Sequence, residues 1–195
     1  MAKLQSDPEW VRRNAEREAM QKARIEAQLK AIDPEHAPLL AELNAAGVKV
    51  RMTPRIQLTL EPEARPGKTP LSIQSIDDLI NTRDPYPEAI PILIKHLRTV
   101  QHPVMIDCIA RALTVKEARG TEAARLILDR LKQTQPILPP VGDESEARWA
   151  LANALTVIAD TSMLNELQSL IADVNYEDVK ERLSTAVKRL ERKQK

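Results

Sequence analysis

The sequence predicts an all-α protein: an α-α superhelix of three helix pairs, preceded by N-terminal helices and a small irregular or β-like insertion. Three observations carry this. The tetrapeptide Ala-Leu-Thr-Val occurs at 112–115 and again at 154–157, and Ala186-Val187 occupies the equivalent place further on. Four residues back lie Ile109, Leu151 and Leu183, and four more back lie Met105, Ala147 and Val179, so each ladder is apolar along one helical face. The preceding helices align as well, at Leu97, Leu131 and Leu170, at Ile94, Leu128 and Leu167, and at Ile90, Ala124 and Met163. From the first-helix Leu to the second-helix Leu or Val the step is 16, 24 and 17 residues. Two pairs match and the middle one carries a lengthened loop, as in a stacked solenoid.

Asp7-Pro8-Glu9 reads as a helix start: Asp caps free amides, Pro is tolerated at the first helical position, and Glu suits the positive end of the dipole. Asp33-Pro34-Glu35 repeats that signal, so two N-terminal helices are expected, Trp10 to Ile32 and Pro34 to about Ala46. The apolar positions of the first (Val11, Ala15, Ala19, Ile25, Leu29, Ile32) are thin for a buried helix. It is either an arm that pairs with a partner or a helix lying on the repeats by its second half. In the second helix Ala37, Leu40 and Leu43 share a face, and Gly47 supplies the stop. Val48, Val50 and Met52, then Ile56, Leu58 and Leu60, alternate with polar residues, which suggests a short hairpin or extended strand. This insertion is a surface decoration or an edge open to a partner strand. Ser75-Ile76-Asp77-Asp78 has the form of a capping box and opens a short helix through Ile80. The chain thus divides into 1–47, a helical arm or cap; 48–74, the insertion; and 75–195, the repeats, whose first pair begins near Tyr86.

Composition narrows the function classes. Lys plus Arg is 29 against 28 for Asp plus Glu, a net charge of +1, so any case for nucleic acid must rest on local patches. Two Trp, two Tyr and no Phe leave the core to Ala, Leu and Ile and suit base stacking badly. A single Cys, Cys108, rules out an internal disulfide and points to a reducing compartment. The N-terminus has no signal-peptide pattern, and the longest apolar run, Ala89 to Ile94, contains a proline and is too short to cross a bilayer. A cytoplasmic protein without a membrane partner is expected.

Leu170-Ile171-Ala172-Asp173, Glu177-Asp178-Val179-Lys180, Leu183 and Ala186-Val187 together resemble a HEAT repeat of the short bacterial type, related to phycobilin-lyase-like repeats. Asp143, Ala147-Arg148, Ala154-Leu155 and Ala159-Asp160 fit the same consensus. The resemblance covers about 86–192. It implies that an Asp before the second helix meets a basic residue in its first turn, with Asp173–Lys180 and Asp143–Arg148 as the pairs. In the first repeat Ile106 stands where the basic residue belongs. Scaffolds, lyases, glycosylases and hydroxylases share this fold, so the resemblance speaks to architecture rather than activity.

No catalytic constellation stands out. His36, His96 and His102 lack metal-ligand spacing, and the paired His-Glu dipeptides of the hydroxylase branch are missing, so neither metal nor cofactor is expected. Cys108 reads as a core cysteine. Trp149 lies off the apolar ladder, aligned with Asp107 and Glu181. If the second helices line a concave groove, Trp149 points into it, flanked by Asn153, Arg111 and Lys188, as the anchor of a protein-binding surface. The alternative is that it packs under the inserted loop, 133–143. In that loop Ile137 and Leu138 either close over the groove or touch a partner. Lys188 to Lys195 holds five basic residues and one acidic, but Asp107, Glu177, Asp178 and Glu181 interrupt a stripe joining it to Arg111, Lys116 and Arg119. The sequence therefore favours a non-enzymatic scaffold binding an unknown protein or peptide. Nucleic-acid binding is the first alternative and a bilin-lyase-like enzyme the second. A small homo-oligomer through the N-terminal helix or the insertion is compatible with either.

Overall fold

The computed structural model describes residues 8–51, 70–135 and 142–194. The fold is mostly helical. Helix α1 (Pro8–Ala45) leads to a two-stranded antiparallel pair, β1 (Lys49–Val50) and β2 (Leu71–Ser72), with Lys49 opposite Ser72 and Val50 opposite Leu71. There follow α2 (Asp77–Ile80), α3 (Ala89–Leu97), α4 (Pro103–Ala112), α5 (Ala123–Gln133), α6 (Asp143–Ile158), α7 (Leu164–Ala172) and α8 (Lys180–Gln194). Short 3-10 turns at Lys116–Ala118, Thr161–Met163 and Val174–Tyr176 lead into α5, α7 and α8.

The expected break at Asp33-Pro34 does not occur: one helix runs from Pro8 to Ala45 with Pro34 and Pro38 inside it. Each proline removes one backbone donor. Both are exposed, so the carbonyls one turn earlier that lose their partners face water. The last third of α1 is held by side chains instead. Leu39 and Leu43 are buried, and the Glu35 carboxylate accepts from the backbone amides of Gln101 and His102 (2.7 and 3.1 Å) at the start of α4. Glu42 takes Lys95 Nζ at 2.8 Å and His96 Nε2 at 2.9 Å from α3. The far end shares none of this: Trp10, Val11 and Met20 are exposed.

Gly47 ends α1 as expected. At φ +73° it lets Val48 N donate to Leu43 O (3.1 Å) and its own amide to Asn44 O (3.0 Å), a Schellman closure with buried Leu43 and Val48 as its hydrophobic contact. Val48 and Val50 are buried while Lys49 is exposed, the alternation read in the sequence. Met52, Ile56, Leu58 and Leu60 lie outside the described residues. The strand is tied down on both sides. Asn44 exchanges bonds with Ile73 N and O, and Asp84 accepts from Arg51 N (2.8 Å) while pairing with its guanidinium. The expected capping box forms only in part: Asp78 Oδ2 accepts from Ser75 N, but Ser75 Oγ accepts from Asp77 N rather than Asp78 N, and Ile76, which precedes α2, makes no side-chain cap bond.

The ladders found by spacing are core. Ile109, Leu151 and Leu183 are fully buried, as are Met105, Leu113, Leu155 and the first-helix residues Leu97, Leu131, Leu128 and Leu167. Helix α4 packs against α6, and α6 against α8; α5 packs on α6 and α7 on α8. Short side chains at Ala147, Ala150, Ala152 and Ala154, all buried, let the neighbours of α6 approach closely. Helix α2 lies against α4. One continuous core runs from Leu39 to Leu190.

The two expected Asp–basic pairs are replaced by others. Arg148 turns away from Asp143 and reaches Asp178, with Nε–Oδ2 at 2.7 Å and Nη2–Oδ1 at 3.0 Å. It also donates to Thr134 O and Oγ1 and to Asn175 O. Asp143 is exposed in the first turn of α6, where the helix dipole favours it. Lys180 pairs with Glu177, and Asp173 caps the 3-10 turn through Asn175 N at 2.9 Å. A buried guanidinium needs several acceptors, and the chain end of α5 together with the turn before α8 supplies them.

Candidate functional site

On α4, α6 and α8 the residues two positions from each ladder residue lie off the buried ladder, because two steps rotate about 200° around a helix; Trp149 among them still packs against the edge of the core. This outward row holds Asp107 and Arg111 on α4, Trp149 and Asn153 on α6, and Glu181 on α8; Lys188, one step past Val187, stands outside that register. Glu181 and Lys188 are fully exposed, while Asp107, Arg111, Trp149 and Asn153 are half-buried. The central helix is flanked on both sides, which explains the gradient.

Trp149 is the centre of the row. The guanidinium of Arg111, from α4, lies 5.5 Å from the ring centroid, and that of Arg182, from α8, lies 4.7 Å from it. Both distances fall within cation–π range. Since α6 lies between α4 and α8, the indole is flanked by a cation from either neighbour. Arg111 is also held within its own helix, donating from Nε to both oxygens of Asp107 at 2.8 and 2.9 Å. Burial raises the Asp107 carboxyl above the usual range, against the opposing pull of the Arg111 bond; Glu146 and Asp77 add to the upward push. For Arg111, burial is the largest influence and works against the charge, but the bond to Asp107 together with the nearby charges of Asp107 and Glu146 carries the net shift upward. Glu146 is therefore part of the electrostatics of this face.

The structure brings Trp149, Arg111 and Asp107 together, with Asn153 one turn along α6. It assigns the α8 cation at the indole to Arg182 rather than Lys188. Lys188 lies on the outer side of α8 and makes no ring contact or ion pair among the described residues. Glu181 is likewise exposed, one residue from Arg182. Arg182 escaped the sequence reading because it stands at the flank of its helix, in register with Cys108 and Ala150. Which flank of α8 turns toward α6 is set by how the two helices pack, so no spacing within α8 marks Arg182 out. Ile137 and Leu138 lie outside the described residues.

Cys108, half-buried rather than fully buried, has its thiol pushed up to about 12, by burial first and then by the nearby charges of Asp77 and Asp107. Such a thiol is a poor nucleophile at neutral pH. The basic C-terminal segment is partly committed to structure. Arg189 donates to Val157 O and Ala159 O, and Arg119 Nε to Val157 O at 2.8 Å, so both guanidinium groups close the carbonyl end of α6. Burial, then the charge of Arg119, lowers the Arg189 pKa. Among the described residues no group of three or more His, Cys, Asp or Glu side chains could hold a metal ion. No described helix is long and apolar enough to cross a membrane.

No protein family, curated protein or solved structure matches this chain. The case for function rests on the surface itself.

Proposed function

We propose that this chain is a HEAT-like helical-repeat scaffold. Its three helix pairs form a short superhelix, and the outward row of α4, α6 and α8 binds a protein or peptide. The observation that carries this is the placement of Trp149: off the buried ladder, packed against the edge of the core but still partly open to solvent, and braced by Arg111 and Arg182. Trp and Arg are the residue types that most often dominate binding energy, particularly where a rigid ring needs little ordering on contact. The apolar ladders behind the row support the repeat reading, since each pair buries its face only against the next. No residue volunteers for the lyase reading. Nucleic acid is the weaker alternative, because Arg119 and Arg189 are occupied and Glu146 and Glu181 interrupt the row.

Affinity capture with the tagged full chain tests this. Trp149→Ala is expected to lose a partner that the parent chain retains in stoichiometric amount, while circular dichroism shows the helix content preserved. A folded Trp149→Ala chain that keeps every partner of the parent refutes the proposal. Retention on heparin that falls steeply with salt supports nucleic acid instead.

A further inference from the structure

We infer that the partner presents a carboxylate to this row, from an Asp or Glu side chain of an extended peptide, and that Arg182 receives it; this rests on the binding surface proposed above. The inference comes from how the arginines are used. Among the described arginines that are buried or half-buried, Arg111, Arg130, Arg148 and Arg189 each donate to a named carboxylate or carbonyl. The Arg182 side chain donates to none among the described residues: its Nε, like that of Arg189, is buried without a hydrogen-bond partner, and its guanidinium carbon lies 4.7 Å from the Trp149 ring centroid. Unlike Arg189, Arg182 has no hydrogen bond from its terminal nitrogens to any described residue, and the residue is only partly buried. A guanidinium held in place by a ring, with its outer donors unfilled, is an acceptor site for an anion. Arg offers carboxylates a planar two-point contact, and little side-chain freedom is lost when the fork is already braced.

The surrounding charges select the kind of anion. Arg111 is neutralised by Asp107, and Glu146 and Glu181 stand close by on α6 and α8. The acidic residues outnumber the one cation left uncompensated, Arg182, so a single carboxylate in two-point contact with that guanidinium can be held there, whereas a run of phosphates would meet these carboxylates. Two guanidinium groups already lie over the Trp149 ring, which disfavours a lysine or methylated lysine as the anchor. The partner is a peptide with an isolated acidic residue next to an apolar or small one that can rest against the indole edge.

A random dodecapeptide display library, selected on the intact chain and counter-selected on Trp149→Ala, tests this. The expected result is enrichment of Asp or Glu at one position. A synthetic peptide from the selection should lose about tenfold or more in affinity when that residue becomes Gln, and again when the protein carries Arg182→Gln. The two losses should not add, because they remove the same contact. Salt should weaken binding with a shallow slope, as for one or two charges rather than a polyanion. Enriched peptides without an acidic position, still dependent on Trp149, overturn the carboxylate assignment and leave the binding surface standing. No enrichment over the Trp149→Ala counter-selection overturns both. Preferred binding of a DNA duplex, sensitive to Arg182→Gln, overturns the choice of a peptide.

Discussion

Arg148 ties the third helix pair to the second, and its removal is the sharpest test of how the stack is held. The side chain is 1% exposed and its partner Asp178 3%. Its guanidinium donates to two oxygens of Asp178, two oxygens of Thr134 and one of Asn175, and lies 5.5 Å from the Tyr176 ring. Arg148→Ala strands a buried carboxylate and removes a donor from the carbonyls of Thr134 and Asn175. Removing one member of such a pair costs about 3–5 kcal/mol. For a chain of this size that corresponds to a fall of about 6–20 °C in Tm, read by circular dichroism or calorimetry. Replacing both charged groups, Arg148→Met with Asp178→Leu, should recover part of the loss, because no uncompensated charge remains; the carbonyls of Thr134 and Asn175 still lack the Arg148 donor. A double-mutant cycle should then give a coupling of about 1–3 kcal/mol, nearly unchanged in 1 M salt, since a buried pair is poorly screened. Single substitutions that each lower Tm by under about 2 °C, or costs that simply add, would refute the reasoning and reduce Arg148 to a surface pair.

Three further outcomes follow from the charge environments. Asp107 has a folded-state pKa above its ordinary value, so its protonated form favours folding and that contribution is lost as pH rises through the folded value. Asp107→Asn should therefore match or exceed the parent in Tm at pH 7, by about 1–3 °C, with the gap closing near pH 3; a lower Tm at pH 7 would contradict this. Glu42 is shifted the other way, by its bond to Lys95 and then that to His96. Its contribution is present above the ordinary carboxylate range and disappears as pH falls through the lowered value. Thermal melts of Glu42→Gln should show a deficit at pH 7 that vanishes in acid, and a deficit that persists at pH 3 would exclude the ionic role. With its thiol near 12, Cys108 should have about a thousandfold less thiolate at pH 8 than an ordinary thiol. The greater intrinsic reactivity of a more basic sulfur offsets part of that, leaving disulfide-reagent labelling about fiftyfold slower than in the denatured chain. Labelling at the denatured rate would show that the environment of α4 is not as described.

What the sequence determined by itself is what local periodicity and local chemistry can carry. The ladders through Ile109, Leu151 and Leu183 could be read because a helix face repeats every three or four residues, whatever it packs against. Gly47 and, in part, the Ser75–Asp78 box could be read because their bonds close within five residues. The same local logic misplaced the break at Asp33-Pro34: a proline removes a backbone donor and crowds the carbonyl one turn earlier, yet α1 runs through Pro34 and Pro38, both on its exposed face. The tertiary structure alone decided the contacts that join distant segments. Arg148 reaches Asp178, 30 residues on, rather than the nearer Asp143, because desolvating a guanidinium demands acceptors that only the assembled turns provide. Glu35 closes the start of α4 across 66 residues. Arg182, not Lys188, meets Trp149, because the side of α8 that faces α6 is set by how the two helices pack, and no spacing within α8 records it.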